Sequence, residues 1–111
     1  MGNIQGLTVA GKHLYILQAA VTGAVKVGRS DNPPRRLNDL QVGCPYRLKI
    51  ILVAENRGKD EKKVHEAMRH SRTRFINGEW FHEIGIGAIP VDIWEHALPW
   101  FREDPDWWKR A

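Results

Sequence analysis

Two short segments near the start of the chain are rich in aliphatic and β-branched residues and are separated by a turn signal. They run from Lys12 to Gln18 and from Ala24 to Arg29, and Thr22-Gly23 lies between them. Short apolar segments of this kind are typical of strands, and a connection that contains glycine favours a hairpin. The fold is therefore predicted to begin with an antiparallel β-hairpin, to which every later element must be added.

The residues after the hairpin predict a helix and a third strand. Asp31 or Asn32 can cap a helix, the prolines that follow suit its first turn, and Gly43 suits a left-handed exit. Arg47 to Glu55 is an aliphatic run that predicts a third strand. A short helix thus connects the second strand to the third.

The remaining elements are mainly helical. A second helix is predicted from about Lys59 to Arg72, and Glu79 to His82 has the composition of a last short strand. Val91 to Phe101 is expected to be helical despite Pro99. The order of elements predicts an α+β fold with a small, mainly antiparallel three-stranded sheet flanked by helices. We expect a single domain over 1–111, with a core over 13–83 and a C-terminal helical extension over 84–111.

Charge is distributed unevenly along the chain. Residues 24–75 carry thirteen Lys/Arg and six Asp/Glu, whereas 76–111 carry three and seven. A basic centre of this kind suits a phosphate-binding surface, because each neutralised phosphate releases counterions. Ordinary solvated helix faces would give the same composition.

The sequence argues against a membrane protein or a secreted one. It has no run of about 18 apolar residues and no basic segment followed by a hydrophobic stretch at the N-terminus. Cys44 is the only cysteine, which fits a reducing compartment. We expect a cytoplasmic protein that does not bind membranes.

One acidic residue lies on the apolar side of the second predicted helix. On a helical wheel, Glu61 shares its half with Val64 and Met68, whereas Lys62 and its charged neighbours lie opposite. A carboxylate there is unfavourable unless it meets a cation, a metal or hydrogen-bond donors. Glu61 is therefore a candidate functional residue, although a glutamate in a first helical turn is also stabilised by the helix dipole.

The first helix separates two neighbouring arginines. Arg36 is four residues before Leu40 and borders the apolar face, while Arg35 points to solvent or to a phosphate. On the first strand, Tyr15 alternates with Leu14 and Ile16, so it faces the other side of the sheet. Taken alone, Tyr15 would be interpreted as a core residue.

His65 raises two metal-binding hypotheses. The segment from His65 to His70 resembles a zinc-protease signature, but its histidines are five residues apart instead of four, so we reject that motif. His65 and Glu61 are four apart on one face and could bind a metal together. A packed histidine is the more frequent outcome.

Several motifs occur in a fixed order between Leu14 and Phe81. Leu14-Tyr15-Ile16 is followed, with the characteristic spacing, by Lys26-Val27-Gly28. The pattern resembles the GIY-YIG endonuclease superfamily, with the glycine of the first motif absent and lysine in place of the second tyrosine. It is most similar to the compact phage and bacterial branch, whose other elements stand here at Lys26 to Ser30, Arg36 to Pro45, Glu61 to His65 and Glu79 to Phe81.

The resemblance implies a metal-dependent DNA endonuclease. Glu61 would bind one Mg²⁺ or Mn²⁺ ion, and Arg36 would stabilise the scissile phosphate. Tyr15 would be the general base toward water, with Lys26 nearby to stabilise its phenolate. His65 would relay a proton or orient Glu61. Residues expected to contact DNA are Arg29, Ser30, Arg35, Lys62, Arg72 and Arg74.

Two other functions fit the same sequence. The substituted motifs are compatible with a DNA-binding module that retains the fold without cleavage. The acidic C-terminal segment is rich in tryptophan and could bind a partner protein or pair two protomers into a homo-oligomer. Tryptophans that simply cap the core would explain the same composition.

Overall fold

The computed structural model describes residues 11–70, 75–77 and 79–110. In this part of the chain the fold is α+β, with an antiparallel sheet in the strand order β3-β1-β2-β5-β4. The strands are β1 (His13–Ala19), β2 (Val25–Ser30), β3 (Leu48–Ala54), β4 (Phe75–Asn77) and β5 (Trp80–Phe81).

The predicted hairpin is confirmed, but the sheet is larger than predicted. Tyr15 pairs with Gly28 in the β1–β2 ladder, and β3 adds to the other edge of β1. The prediction of three strands is wrong because β4 and β5 extend the sheet beyond β2. With three and two residues, these strands are too short to show a clear alternation of buried and exposed residues. The short strand predicted at Glu79 to His82 contains β5, whereas β4 was not predicted.

Helix α1 (Pro33–Gln41) has the boundaries that its sequence predicts. The Asn32 side chain accepts a hydrogen bond from the backbone N–H of Arg35 at 3.2 Å, which satisfies a free donor of the first turn. Gly43 follows the helix with a φ of +81°, a conformation that favours glycine. Both ends of α1 are thus set by local residues.

Helix α2 (Glu61–His70) begins directly after a 3₁₀ turn at Gly58–Asp60. Gly58 donates a backbone hydrogen bond to Lys12, and a Cβ atom at Gly58 would lie 1.8 Å from the carbonyl oxygen of Gly11. Only glycine allows this contact, which fixes the start of α2 against the start of β1. The helix was predicted to continue to Arg72, which lies outside the described residues.

The sheet separates two groups of buried residues. On one face, Leu14 and Ile16 of β1 pack with Val64 and Met68 of α2 and with residues of the C-terminal segment. On the other face, Tyr15 and Leu17 pack with residues of α1. This alternation along β1 is the one predicted from the sequence.

The C-terminal segment packs on the sheet as a series of short helices. The prediction of helix over Val91 to Phe101 is wrong in the middle of that range. Ala97 forms an isolated β-bridge with Leu52 of β3, and a new helix begins at Pro99. The elements are a 3₁₀ helix (Glu83–Ala88), α3 (Val91–Trp94), α4 (Pro99–Glu103) and α5 (Trp107–Arg110). Within the described residues, no helix is long and apolar enough to cross a membrane.

Most of the tryptophan surface in this segment contacts the core. Trp107 is buried and donates a hydrogen bond from Nε1 to the buried Gln18 at 2.9 Å. The ammonium of Lys49 lies 4.8 Å from the ring centroid of Trp100 and 4.6 Å from that of Trp107. Trp94 and Trp108 are partly buried against the same core. These contacts support the interpretation that the tryptophans cap the core.

Candidate active site

Tyr15 lies in the middle of the sheet, on the face that α1 covers. Its ring is 2% exposed and crosses the backbone of β2 at Gly28. A Cβ atom at Gly28 would lie 2.5 Å from the phenol oxygen of Tyr15. The glycine of the Lys26-Val27-Gly28 motif therefore provides the space in which the phenol lies.

Arg36 on α1 is the cation that acts on Tyr15. Burial raises the pKa of Tyr15 above its ordinary value of 10.0, because the phenolate would lose hydration. A hydrogen bond with Arg36 and the positive charge of Arg36 act in the opposite direction, while the charges of Glu79 and Glu61 raise the pKa further. The prediction that Arg36 approaches the sheet while Arg35 points away agrees with this contact, although both arginines remain exposed.

Lys26 lies on the same face of the sheet as Tyr15 but is held by another group. Its ammonium forms an ion pair with the carboxylate of Glu79, and only 8% of the Lys26 side chain is exposed. The role of Lys26 in stabilising the Tyr15 phenolate stays a prediction. Arg36 is the cation that lowers the pKa of Tyr15 in this geometry.

Glu61 enters the site from the first turn of α2. Its side chain is 20% exposed, and its Oε1 lies 3.9 Å from Nε of Arg29. Burial and the charge of Glu79 raise the pKa of Glu61 above 4.5, whereas His65 and Arg29 lower it. A side-chain hydrogen bond with Glu79 also raises the pKa of Glu61. The sequence correctly identified Glu61 as a carboxyl group in an unfavourable, partly apolar position.

His65 is oriented by a backbone contact one helical turn after Glu61. Its Nε2 lies 2.8 Å from the carbonyl oxygen of Val27, so the imidazole donates from Nε2. Its ring also packs against Phe81, with 5.6 Å between the centroids. These contacts fix the ring between α2 and the sheet, as expected of a packed histidine.

An open cleft of about 370 Å³ adjoins this group of residues. Arg29 lies along one wall, and 52% of its side chain is exposed. A Cβ atom at Gly11 would lie 2.7 Å from Cδ of Arg29. Ser30 accepts a hydrogen bond at Oγ from the backbone N–H of Asn32. The lining residues are Gly11, Arg29, Ser30, Asp31, Asn32, Arg35, Arg36 and Asp39.

Lys62, another predicted DNA contact, does not line this cleft. Lys62 is exposed on the outer side of α2. Arg72 and Arg74 lie outside the described residues. Three of the six predicted contacts, Arg29, Ser30 and Arg35, thus share one cleft with Arg36.

Sequence analysis assigned no functional role to Glu79, although this residue belongs to the Glu-Trp-Phe motif. The ion pair with Lys26 joins residues 53 positions apart. No local pattern shows such a contact, because the two residues are far apart in the sequence. Glu79 and Glu61 together bring two carboxyl groups to the site.

The carboxyl groups of Glu61 and Glu79 are the oxygen donors that the site could offer to a metal ion. Across residues 11–70, 75–77 and 79–110, no group of three or more His, Cys, Asp or Glu side chains is arranged around a common point. Burial and the charge of Glu79 disfavour the ionised form of Glu61, and a cation would stabilise that form. Mg²⁺ and Mn²⁺ are suited to such a site because they retain waters and bind substrate phosphate oxygens.

Comparison with known protein families identifies one family to which the chain is related. The family model described as the T5orf172 domain matches residues 12–103. The chain belongs to the T5orf172 family. The matched range of this T5orf172 protein contains Tyr15, Lys26, Arg36, Glu61, His65 and Glu79. It has no significant match among curated proteins or among solved structures.

The T5orf172 match agrees with the resemblance noted in the sequence at a coarser level. The domain is loosely associated with nuclease-type proteins. The match also extends through α3 and α4. In this T5orf172 protein, most of the C-terminal segment therefore lies within the family domain.

Proposed function

We propose that this T5orf172 protein is a metal-dependent DNA endonuclease of the GIY-YIG type. The observation that carries the proposal is that a guanidinium and a carboxyl group from two other elements converge on the buried phenol of Tyr15. Arg36 of α1 and Glu61 of α2 both act on the pKa of Tyr15 of β1. A phenol, a guanidinium and a carboxylate within electrostatic reach are the groups that phosphodiester hydrolysis by this route requires.

Tyr15 is proposed to take the proton from the attacking water. A phenol is a weak acid, so Tyr15 accepts a proton only after it has lost its own. Arg36 favours that ionised state through its hydrogen bond and charge, and it also faces the cleft where a phosphate would lie. A divalent ion bound at Glu61 would supply positive charge to the scissile phosphate and to the leaving oxygen.

His65 is proposed to orient Glu61 and not to contact DNA. Its Nε2–H is directed at the Val27 carbonyl, which leaves Nδ1 as the acceptor of the neutral ring. Its position one turn after Glu61 on the same helix face fits an orienting role. This assignment keeps His65 in the site as a positioning residue.

The arginine-lined cleft is the proposed path for the DNA backbone. Arg29 and Arg35 are exposed and separated from each other by the turn into α1, so they can contact different phosphates. Ser30 can donate its hydroxyl hydrogen to a phosphate while its oxygen accepts from Asn32. Contacts from Lys62, Arg72 and Arg74 remain predictions for a longer stretch of DNA.

A DNA-binding module without cleavage is the second candidate. The buried phenol of Tyr15 and its raised pKa favour this reading, because they make the proposed base less available near neutral pH. Pairing of protomers through the C-terminal segment also remains a prediction. Its exposed apolar side chains include Val91 and Trp100.

Incubation of plasmid and single-stranded DNA with the protein tests the proposal. Parallel samples contain Mg²⁺, Mn²⁺ or EDTA, and the products are resolved on a gel. We expect nicked or linear products with either metal and none with EDTA. Bound but uncut DNA under all conditions would favour the non-cleaving module.

A further inference from the structure

The ion pair between Lys26 and Glu79 is unequal in burial. Only 8% of the Lys26 side chain is exposed, compared with 42% of the Glu79 side chain. The ammonium is therefore the inner partner and the carboxylate the outer one. The side chain of Glu79 is thus far more accessible than that of Lys26 to a molecule that enters from solvent.

The burial of Lys26 opposes a direct role on DNA. If a buried ammonium loses its ion-pair partner, it stays charged but is poorly hydrated, and this state is strongly unfavourable in free energy. Lys26 would have to break its pair with Glu79 and move outward to reach a phosphate. Arg29 and Arg36 already present exposed charges to the cleft without such a change.

Glu79 is held in place by its backbone as well as by Lys26. Its carbonyl accepts a hydrogen bond from the N–H of Val27 at 3.2 Å. Its carboxyl group meets that of Glu61, and its charge reaches Tyr15. Glu79 thus lies beside both the proposed base and the proposed metal ligand.

We propose that the carboxylate of Glu79 accepts a hydrogen bond from the attacking water and that Lys26 is the positioning residue that holds it there. This inference rests on the proposed nuclease function. It assigns the lysine of the second motif to a structural task within the site. Lys26 then acts through Glu79 and does not bind phosphate.

DNA binding provides a test that does not depend on cleavage. Affinity for DNA is measured over a range of salt concentrations in EDTA, with wild type, Lys26→Met, Glu79→Gln and the double variant. The double variant replaces a neutral ion pair by a neutral apolar–amide pair, so we expect its affinity within about twofold of wild type and an unchanged salt slope. A slope smaller by about 0.9 in the double variant would show a lost phosphate contact and overturn the proposal.

Cleavage kinetics test the same proposal at the chemical step. We expect Lys26→Met, Glu79→Gln and the double variant to lower kcat by the same factor, about tenfold to a hundredfold, with KM unchanged. Equal losses indicate that the two residues act as one unit. If the loss of kcat in the double variant equals the product of the two single losses, Lys26 and Glu79 act independently and the proposal is contradicted.

Matched controls separate these effects from general changes in charge or stability. Lys109→Met removes a lysine from an exposed pair with Asp106, and Glu66→Gln removes an exposed glutamate of α2. Both controls should bind and cleave like wild type. If wild type binds DNA but never cleaves it, the nuclease proposal fails, whereas the salt slope of the double variant still decides whether Lys26 contacts phosphate.

Discussion

Substitution of Gly28 by alanine should displace the proposed general base. The added methyl group would lie 2.5 Å from the phenol oxygen of Tyr15 and 2.6 Å from its Cζ atom. Non-bonded carbon contacts are favourable at about 3.5–4.0 Å, so the ring must move by about 1 Å. Overpacking of this kind costs about 1–3 kcal/mol in the free energy of unfolding. At about 4 °C per kcal/mol, the Tm should fall by about 4–12 °C.

Activity should fall by more than stability alone explains. A shift of about 1 Å in a reacting group can lower a rate by about a hundredfold, even when most of the protein remains folded. The test compares Tm by circular dichroism with the single-turnover cleavage rate at a temperature well below the transition.

Gly87→Ala is the matched control for this prediction. No atom lies within 4 Å of an added Cβ at Gly87, so the substitution should be neutral or slightly stabilising. If Gly28→Ala and Gly87→Ala have the same Tm and the same cleavage rate, the close contact between Tyr15 and Gly28 is refuted.

Three further predictions concern the charged groups of the site. Arg36→Ala should lower kcat by orders of magnitude, whereas Arg35→Ala should mainly weaken binding in a salt-dependent way; equal kinetic profiles would contradict their separate roles. Because burial raises the pKa of Tyr15, the cleavage rate should rise steadily between about pH 7 and 10, and Tyr15→Phe should lack this rise. Because burial raises the pKa of Glu61, the folded state favours its protonated form. Glu61→Gln should therefore exceed wild type in metal-free stability at about pH 8 and lose that advantage on acidification, as urea unfolding can measure.

The parts of the fold that could be predicted are those that local residues determine. Asn32 and Gly43 delimit α1 through a side-chain cap and a positive φ, and both signals are visible in the sequence. Helical periodicity predicted which side of α2 faces the core. Val64 and Met68 are buried there, and Glu61 on the same side is only 20% exposed. These predictions needed no knowledge of distant contacts.

The parts that could not be predicted depend on contacts between distant residues. The pairing of β5 with β2 is set by Val25 opposite Phe81 and Lys26 opposite Trp80, and neither pair leaves a local pattern. The same pairing brings Glu79 to Lys26. The sequence predicted a short strand at Glu79 to His82 but not its partner in the sheet, and the role of Glu79 was missed for the same reason. Pro99 was misjudged because its effect depends on Ala97 bridging to β3.

The central claim is that Glu61 is required for phosphodiester cleavage and not for DNA binding. The most direct measurement compares Glu61→Gln with Glu66→Gln, an exposed glutamate of the same helix, for both cleavage in Mg²⁺ and DNA affinity in EDTA. We predict that Glu61→Gln binds DNA as tightly as wild type or slightly more tightly, since one repelling charge is removed, and that it does not cleave. Glu66→Gln should match wild type in both assays. Cleavage by Glu61→Gln at the wild-type rate would remove Glu61 from the site and contradict the account.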